Sequence, residues 1–405
     1  AFNESQELVN RYNSEPKVKE IMDLAFKFEG LIDHVSKHAA GIVISDKPLT
    51  NYLATAMVKE SDDKRKKGSE QKLVKVTQFT MTRIEELGLL KIDILGLGTL
   101  TLIKYILEPI NKRRVAEGLE PLTIQSIPLN DLQAYKMLGK GDTAGVFQVE
   151  KMGQLMRELF GNINENSNGE QCFSDLVAGI SLNRPGPKAK IPQYLQNRAN
   201  PNAIMYDHPN LVPVLKSSYG CLIYQEQVSL IAQVLAGFSP EKSDLFRRAV
   251  SKKKLEIIEA ERQPFIYGEC DDVGNIITPG ALNMGVPIYV ANKIFDEFVD
   301  FCKYAFNKSH GAAYAVLAAI TAYLKYHYPV EFMAALLSRA ATSGDNKKLP
   351  NALAMCKSMN IEILPPDVNK SQVLFSIEGE RRIRFGLAGI KQLGIGSANK
   401  IIEER

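Results

Sequence analysis

The chain has 405 residues, of which 45% are apolar, with a net charge of +4 and five cysteines. That length exceeds one ordinary domain and the apolar content suffices for more than one core, while so small a net charge says little about partners. The longest nearly uncharged apolar stretch, Gly311 to Tyr323, is too short to span a bilayer, and no basic-then-apolar leader opens the chain. The cysteines are too far apart for zinc pairs or a disulfide framework, so a cytoplasmic protein with reduced thiols and no membrane partner is expected.

In chain order, Val18, Ile21, Met22, Leu24, Ala25, Phe26 and Phe28 recur at helical spacing between Pro16 and Gly30, which predicts a helix. Residues 41–45 and 74–79 have the β-branched, partly alternating character of strands, and the charged segment 59–72 between them reads as a solvated loop. Residues 89–95 give a third strand signal, closed by Gly96 and Gly98 ahead of a helical run from Thr99 to about Arg114. Beyond that the pattern is mostly helical, broken at 161–169, 184–187, 200–209 and 268–287. The expected fold class is α+β, a small mixed β-sheet followed by a large, mainly helical region. The chain opens at Ala1 without methionine and stops at Arg405 within a helical pattern, so a piece of a longer polypeptide is expected.

Chemistry concentrates in a few places. In Lys91-Ile-Asp-Ile, alternation puts Lys91 and Asp93 on one face about 7 Å apart, with Leu90, Ile92 and Ile94 pointing the other way into a core. A carboxylate beside an ammonium suits phosphoryl transfer, in which the carboxylate holds a magnesium ion; an ion pair on a half-solvated strand fits the pattern as well. Arg247, Arg248, Lys252, Lys253 and Lys254 fall close together, and their mutual repulsion favours an anionic partner, although a solvated helix end fits equally. Phe306-Asn-Lys-Ser-His precedes an alanine-rich helix capped by Asn307 or Ser309, and Lys308 and His310 flank an N-terminus suited to anions. Arg184-Pro-Gly-Pro is a rigid turn presenting one guanidinium, and Tyr224-Gln-Glu-Gln opens an amphipathic helix that stops at Gly237. His38 stands at a strand entrance. Gly389-Ile-Lys-Gln-Leu-Gly-Ile-Gly-Ser-Ala has the form of a glycine hairpin that offers amides to a DNA phosphate, or of a plain tight turn. The phosphate loop of common ATPases, His-Glu-x-x-His and Gly-x-Ser-x-Gly are all missing, which weakens the ATPase, zinc-protease and serine-hydrolase readings.

Taken together, His38-Ala-Ala-Gly-Ile-Val-Ile, Thr77-Gln-Phe, Gly88-Leu-Leu-Lys-Ile-Asp-Ile-Leu-Gly-Leu, Gly145-Val-Phe-Gln, Arg184-Pro-Gly-Pro, Tyr224-Gln-Glu-Gln, Phe246-Arg-Arg-Ala-Val-Ser-Lys-Lys-Lys, Phe306-Asn-Lys-Ser-His and Leu364-Pro-Pro-Asp resemble, in order, the alpha subunit of bacterial DNA polymerase III, the C-family replicative polymerases. The resemblance implies that residues 1–36 end a thumb, 37–98 supply the C-terminal part of a palm, and 99–405 form the fingers, with a helix-hairpin-like segment near 386–405. It implies that Asp93 is the third catalytic aspartate and binds Mg2+, and that Lys91 faces the incoming deoxynucleoside triphosphate. Arg247, Arg248, Lys308 and His310 would bind that nucleotide, and Lys252, Lys253, Lys254 and Arg184 would meet primer-template DNA. The two other catalytic aspartates belong to an upstream polymerase segment, so this chain alone is expected to be inactive. Contacts to other replisome subunits, the sliding clamp included, are expected through regions outside it. Ala305 stands where most relatives carry glycine or cysteine, and residues 268–287 make a longer loop than usual. The alternative is a non-catalytic nucleic-acid-binding fragment; a phosphate-handling metabolic enzyme rests only on the Lys91 and Asp93 pair.

Overall fold

The computed structural model describes residues 5–31, 38, 40–59, 73–184, 186–343 and 347–405. Residues 60–72 of the charged loop expected at 59–72, and the expected thumb–palm boundary at 36 and 37, lie outside the described residues. The chain divides into two compact units, Ala1–Leu97 and Gly98–Arg405.

In the first unit, helix Gln6–Ser14 starts at Ser5, whose hydroxyl accepts the Leu8 amide N–H. Helix Pro16–Phe28 begins on proline, whose missing N–H is harmless there. Tyr12 ties the two together by donating its hydroxyl to Asp23 at 2.6 Å. Four strands follow: β1 (Gly41–Ile44), β2 (Thr55–Lys59), β3 (Leu73–Thr77) and β4 (Leu90–Asp93). β1 pairs antiparallel with β4, setting Gly41 opposite Asp93 and Val43 opposite Lys91. β2 pairs antiparallel with β3. The α+β class holds, but the strands of this unit form two separate antiparallel pairs among the described residues; parallel and antiparallel pairing meet only in a three-stranded sheet at 362–384.

A second expectation fails here. Alternation does put Leu90, Ile92 and Ile94 on one side, yet they are 58%, 41% and 68% exposed. Their partners across the ladder, Ile44 and Ile42, are exposed too. Alternation says which side chains share a face, not which face meets a core. The small cluster of Leu53, Ile84 and Leu89 draws in Val43, on the Lys91 side of the ladder, and leaves the Leu90 side bare.

The second unit is mostly helical and holds three apolar clusters. In one, helices Leu132–Gly139, Gly153–Phe160 and Gly169–Leu182 surround the long helix Lys308–His327, whose buried face is Ala315, Ala318, Ala319 and Ala322. Such small side chains let neighbouring backbones approach closely. Another is aromatic: Phe238, Phe246, Phe265, Phe295 and Phe298 meet in edge-to-face and tilted pairs with centroids 5.5–6.0 Å apart. The third packs Ile103, Ile106 and Ile110 of helix Gly98–Ala116 against Phe332 and Leu337 of helix Pro329–Thr342. Residues 268–287 contain a short hairpin, Glu269–Cys270 with Ile276–Thr278. Among the described residues, no helix is long and apolar enough to cross a membrane.

Buried charges brace this unit, Asp175 and Lys325 among them. Asp175, fully buried, accepts hydrogen bonds from Tyr194 Oη at 2.9 Å, Arg198 Nε at 2.6 Å and Gln171 Nε2 at 3.1 Å. Lys325, 1% exposed, donates to the Asp142 carboxylate and to the Ala144 carbonyl at 2.8 Å. Burial depresses the affinity of Lys325 for its proton, and the Asp142 carboxylate opposes that shift.

Candidate functional site

The first unit brings Lys91 and Asp93 together as alternation predicts. Lys91 Nζ lies 2.8 and 2.9 Å from the two carboxylate oxygens, and its side chain is only 12% exposed. The Lys91 ammonium is the main reason that the Asp93 carboxyl sits below the usual range, with His38 adding to it. His38 Nδ1 is 3.9 Å from Asp93 Oδ1 and accepts the Ala40 amide N–H at 3.3 Å. Gly41, paired with Asp93, makes the arrangement possible: a Cβ there would lie 2.8 Å from Lys91 Cε and 2.9 Å from His38 Nδ1. His38, Gly41 and Lys91 border an open cavity of about 930 Å³ lined also by Lys75, Thr77 and Met81. Sequence reasoning set His38 at a strand entrance but gave neither it nor Gly41 a role in the site, although both stand in the quoted His38-Ala-Ala-Gly run.

In the second unit, the helix Lys308–His327 begins as expected, with Asn307 Oδ1 accepting the His310 amide N–H at 2.9 Å. The Glu226 carboxylate accepts the Lys308 amide N–H at 3.1 Å. Gln225 holds the preceding segment through its own amide on the Phe306 carbonyl, at 2.9 Å. Phe306 gathers three predicted site residues into one neighbourhood. The Arg184 guanidinium lies 4.0 Å from its ring centroid, the His310 ring packs edge-on at 5.5 Å, and Lys308 leans over Tyr224, which bridges to Phe306. Beyond His310 the stacking continues through Tyr314 to Phe147 of the Gly145-Val-Phe-Gln motif. The structure thus joins Arg184 to Lys308 and His310, whereas the sequence set Arg184 with the lysines 252–254.

Arg247 and Arg248 lie on helix Pro240–Ser251, which packs against helix Gln225–Ala236. Ser239 caps it by accepting the Lys242 amide N–H. On its buried side Phe246 enters the aromatic cluster and Ser243 bonds Ser229 at 2.9 Å. Lys242 reaches the hairpin carboxylate Glu269 and stands 3.3 Å from Glu261. Both arginines bond one carboxylate, Asp244, which sequence reasoning missed despite its spacing of three and four residues. Lys252, Lys253 and Lys254 follow, all exposed, with Lys253 in the left-handed region at φ 55°. Near the end, helix Ile395–Glu403 follows Gly394 and a left-handed Gln392.

Family models that describe parts of a bacterial polymerase match this chain. That for the DNA polymerase III alpha subunit finger domain covers residues 99–272, that for the DNA polymerase III alpha NTPase domain residues 1–96, and a helix-hairpin-helix model residues 360–405. DNA polymerase III subunit alpha of Aquifex aeolicus is 39% identical over 96% of this chain and 30% of its own length. The proteins of the same name from Halalkalibacterium halodurans and Escherichia coli K12 are 38% and 37% identical over the whole chain, each over 33% of its own length. The chain therefore belongs to the bacterial DNA polymerase III alpha-subunit family, and it spans about a third of the length of the curated relatives it matches.

Proposed function

We propose that this chain is part of a template-directed DNA polymerase that transfers deoxynucleotides from their triphosphates to a primer 3′-hydroxyl. The observation that carries this reading is the Lys91–Asp93 pair on β4, made possible by Gly41, with Lys91 lining an open cavity. In this reading Asp93 supplies one ligand to Mg2+ and Lys91 neutralises phosphate charge. Arg247, Arg248, Lys308 and His310 hold the triphosphate, Lys252, Lys253, Lys254 and Arg184 meet primer-template DNA, and the glycine hairpin before Ile395 meets a DNA phosphate. Residues 1–36 then belong to a thumb, 37–98 to a palm and 99–405 to fingers, in a cytoplasmic replisome that includes the sliding clamp.

One carboxylate beside a lysine does not make a two-cation site, and among the described residues no three His, Cys, Asp or Glu side chains converge on a metal. In this reading the remaining carboxylates come from an upstream polymerase segment, as the resemblance implies. The bare face of Ile42, Ile44, Leu90, Ile92 and Ile94 supports that view, because a two-stranded ladder is marginal unless its apolar face is covered. The test is primer extension with Mg2+, mixing this chain with the separately expressed upstream half, with Asp93→Asn in parallel. Extension is expected from the mixture, none from the chain alone, and none with Asp93→Asn. Salt-sensitive DNA binding that ignores Asp93→Asn, with no extension from any mixture, would favour a non-catalytic nucleic-acid-binding fragment instead.

A further inference from the structure

Neighbouring residues on an α-helix point about 100° apart, so Arg247 and Arg248 leave helix Pro240–Ser251 in different directions. Arg247 is 24% and Arg248 65% exposed, and nothing in their own geometry aims both at one ligand. Asp244, three residues before one and four before the other, lies on the same side of the helix as each. Its Oδ1 accepts from Nε and a terminal amino nitrogen of Arg247, at 3.0 and 2.6 Å. Its Oδ2 pairs with Arg248, whose Nε lies 2.7 Å away. Both guanidiniums are therefore held by their inner edge. Arg248 keeps two terminal amino groups and Arg247 keeps one, all free of Asp244.

The backbone beneath this fork is fixed. Ser239 caps the helix, Lys242 ties it to Glu269, Ser243 bonds Ser229, and Phe246 is buried among rings. Exposed helix ion pairs stabilise little, so ordering two long arginine side chains on one carboxylate is poorly explained by stability alone. It is well explained by presentation, since a linear polyphosphate has adjacent phosphoryl groups that a pair of aligned guanidiniums matches and a single phosphate does not.

We infer that Asp244 is a positioning residue that brings Arg247 and Arg248 to bear together on the polyphosphate chain of a nucleoside triphosphate. The inference rests on the proposed role of the two arginines in holding that group. It makes a prediction of unusual sign. Removing a negative charge from a cationic surface should, on Coulomb grounds alone, tighten the binding of any anion. Loss of positioning should weaken a polyphosphate selectively.

The experiment is calorimetric titration of the full 405-residue chain with inorganic tripolyphosphate and, separately, orthophosphate, for wild type, Asp244→Ala, Asp244→Asn, Arg247→Ala and Arg248→Ala. Asp244→Ala is expected to lose about tenfold in tripolyphosphate affinity, the worth of one charge-assisted contact. Asp244→Asn, which keeps an acceptor oxygen, should lose less, and orthophosphate binding should hold or rise in both. Tripolyphosphate binding that stays equal or tightens in Asp244→Ala, while each arginine variant weakens it, would overturn the positioning role and leave the arginine assignment standing. Wild-type binding that is absent, or indifferent to both arginine variants, would overturn the arginine assignment and the inference with it. Because Asp244 is 39% exposed, both variants should melt at the wild-type temperature; should the alanine variant unfold, the asparagine variant alone decides, through the same comparison of the two anions.

Discussion

Among the described residues up to Leu97 the buried apolar cluster has three members, Leu53, Ile84 and Leu89, and five isoleucine or leucine side chains on one face of a ladder are exposed. From Gly98 onward three large clusters fill the spaces between helices, and even charged groups such as Asp175 and Lys325 are buried with partners. The difference separates two ways of holding a site. Lys91 and Asp93 sit on a ladder whose own unit gives little support, so their geometry comes from local contacts: the Gly41 opening, His38 and the Lys91–Asp93 bond itself. The arginine helix and the Phe306 neighbourhood stand on buried rings, so their geometry is built in from below. A site of the first kind needs a further surface to hold it, and one of the second kind does not.

The sharpest way to break this contrast is to attack a buried charge in the helical unit. Asp175→Ala leaves the Tyr194 hydroxyl and the partly buried Arg198 without their shared acceptor, and should cost about 3–5 kcal/mol in urea unfolding. A cost under about 1 kcal/mol would mean that the network is not a brace, and the supposed rigidity of this unit would lose its best support.

Acid should separate the units next, with a smaller effect. Arg384, itself nearly buried, is the main reason that the Glu378 carboxyl lies below its ordinary value. The folded form therefore holds this proton less tightly than the unfolded one. The associated stability is complete above the ordinary glutamate pKa of about 4.3 and is lost as pH falls through the lowered folded value. Glu378→Gln should flatten the acid limb of the stability curve below about pH 4 and leave neutral stability changed only by the weakened bond. An acid limb of unchanged slope would show that this pair is not linked to unfolding.

Legibility follows the same division. Local pattern marked the alanine-rich helix, with Asn307 as one of two candidate caps, the helix closing at Gly237, and the strand carrying Lys91 and Asp93, because capping, glycine stops and alternation act within a few residues. The Arg247 and Arg248 cluster was visible as charge, but Asp244 was not read as its clamp, although its three- and four-residue spacing was there to be seen. Arg184 over Phe306 could not be read at all. That contact joins positions more than a hundred residues apart, and no local rule brings them together. The Leu90 face failed for a further reason: an alternating strand looks the same whether its apolar side meets this chain or another segment.

That last ambiguity supplies the smallest expected effect and the most direct test of the comparison. Ile44 and Leu90 are direct partners across the ladder, 46% and 58% exposed. Threonine has the β-branched shape that strands favour and removes apolar surface at both positions. In the chain alone, Leu90→Thr with Ile44→Thr should therefore shift unfolding by no more than about 0.5 kcal/mol, the usual range for surface positions. When the upstream polymerase half is added, the same pair should lower the apparent affinity between the two halves, read as a higher concentration needed for primer extension. The strand pair then behaves as an interface held open for another segment. A loss above about 1 kcal/mol in the chain by itself, growing with protein concentration, would instead mean that a second copy already covers this face, and the contrast between a supported and an unsupported unit would have to be drawn for the pair of chains rather than for one.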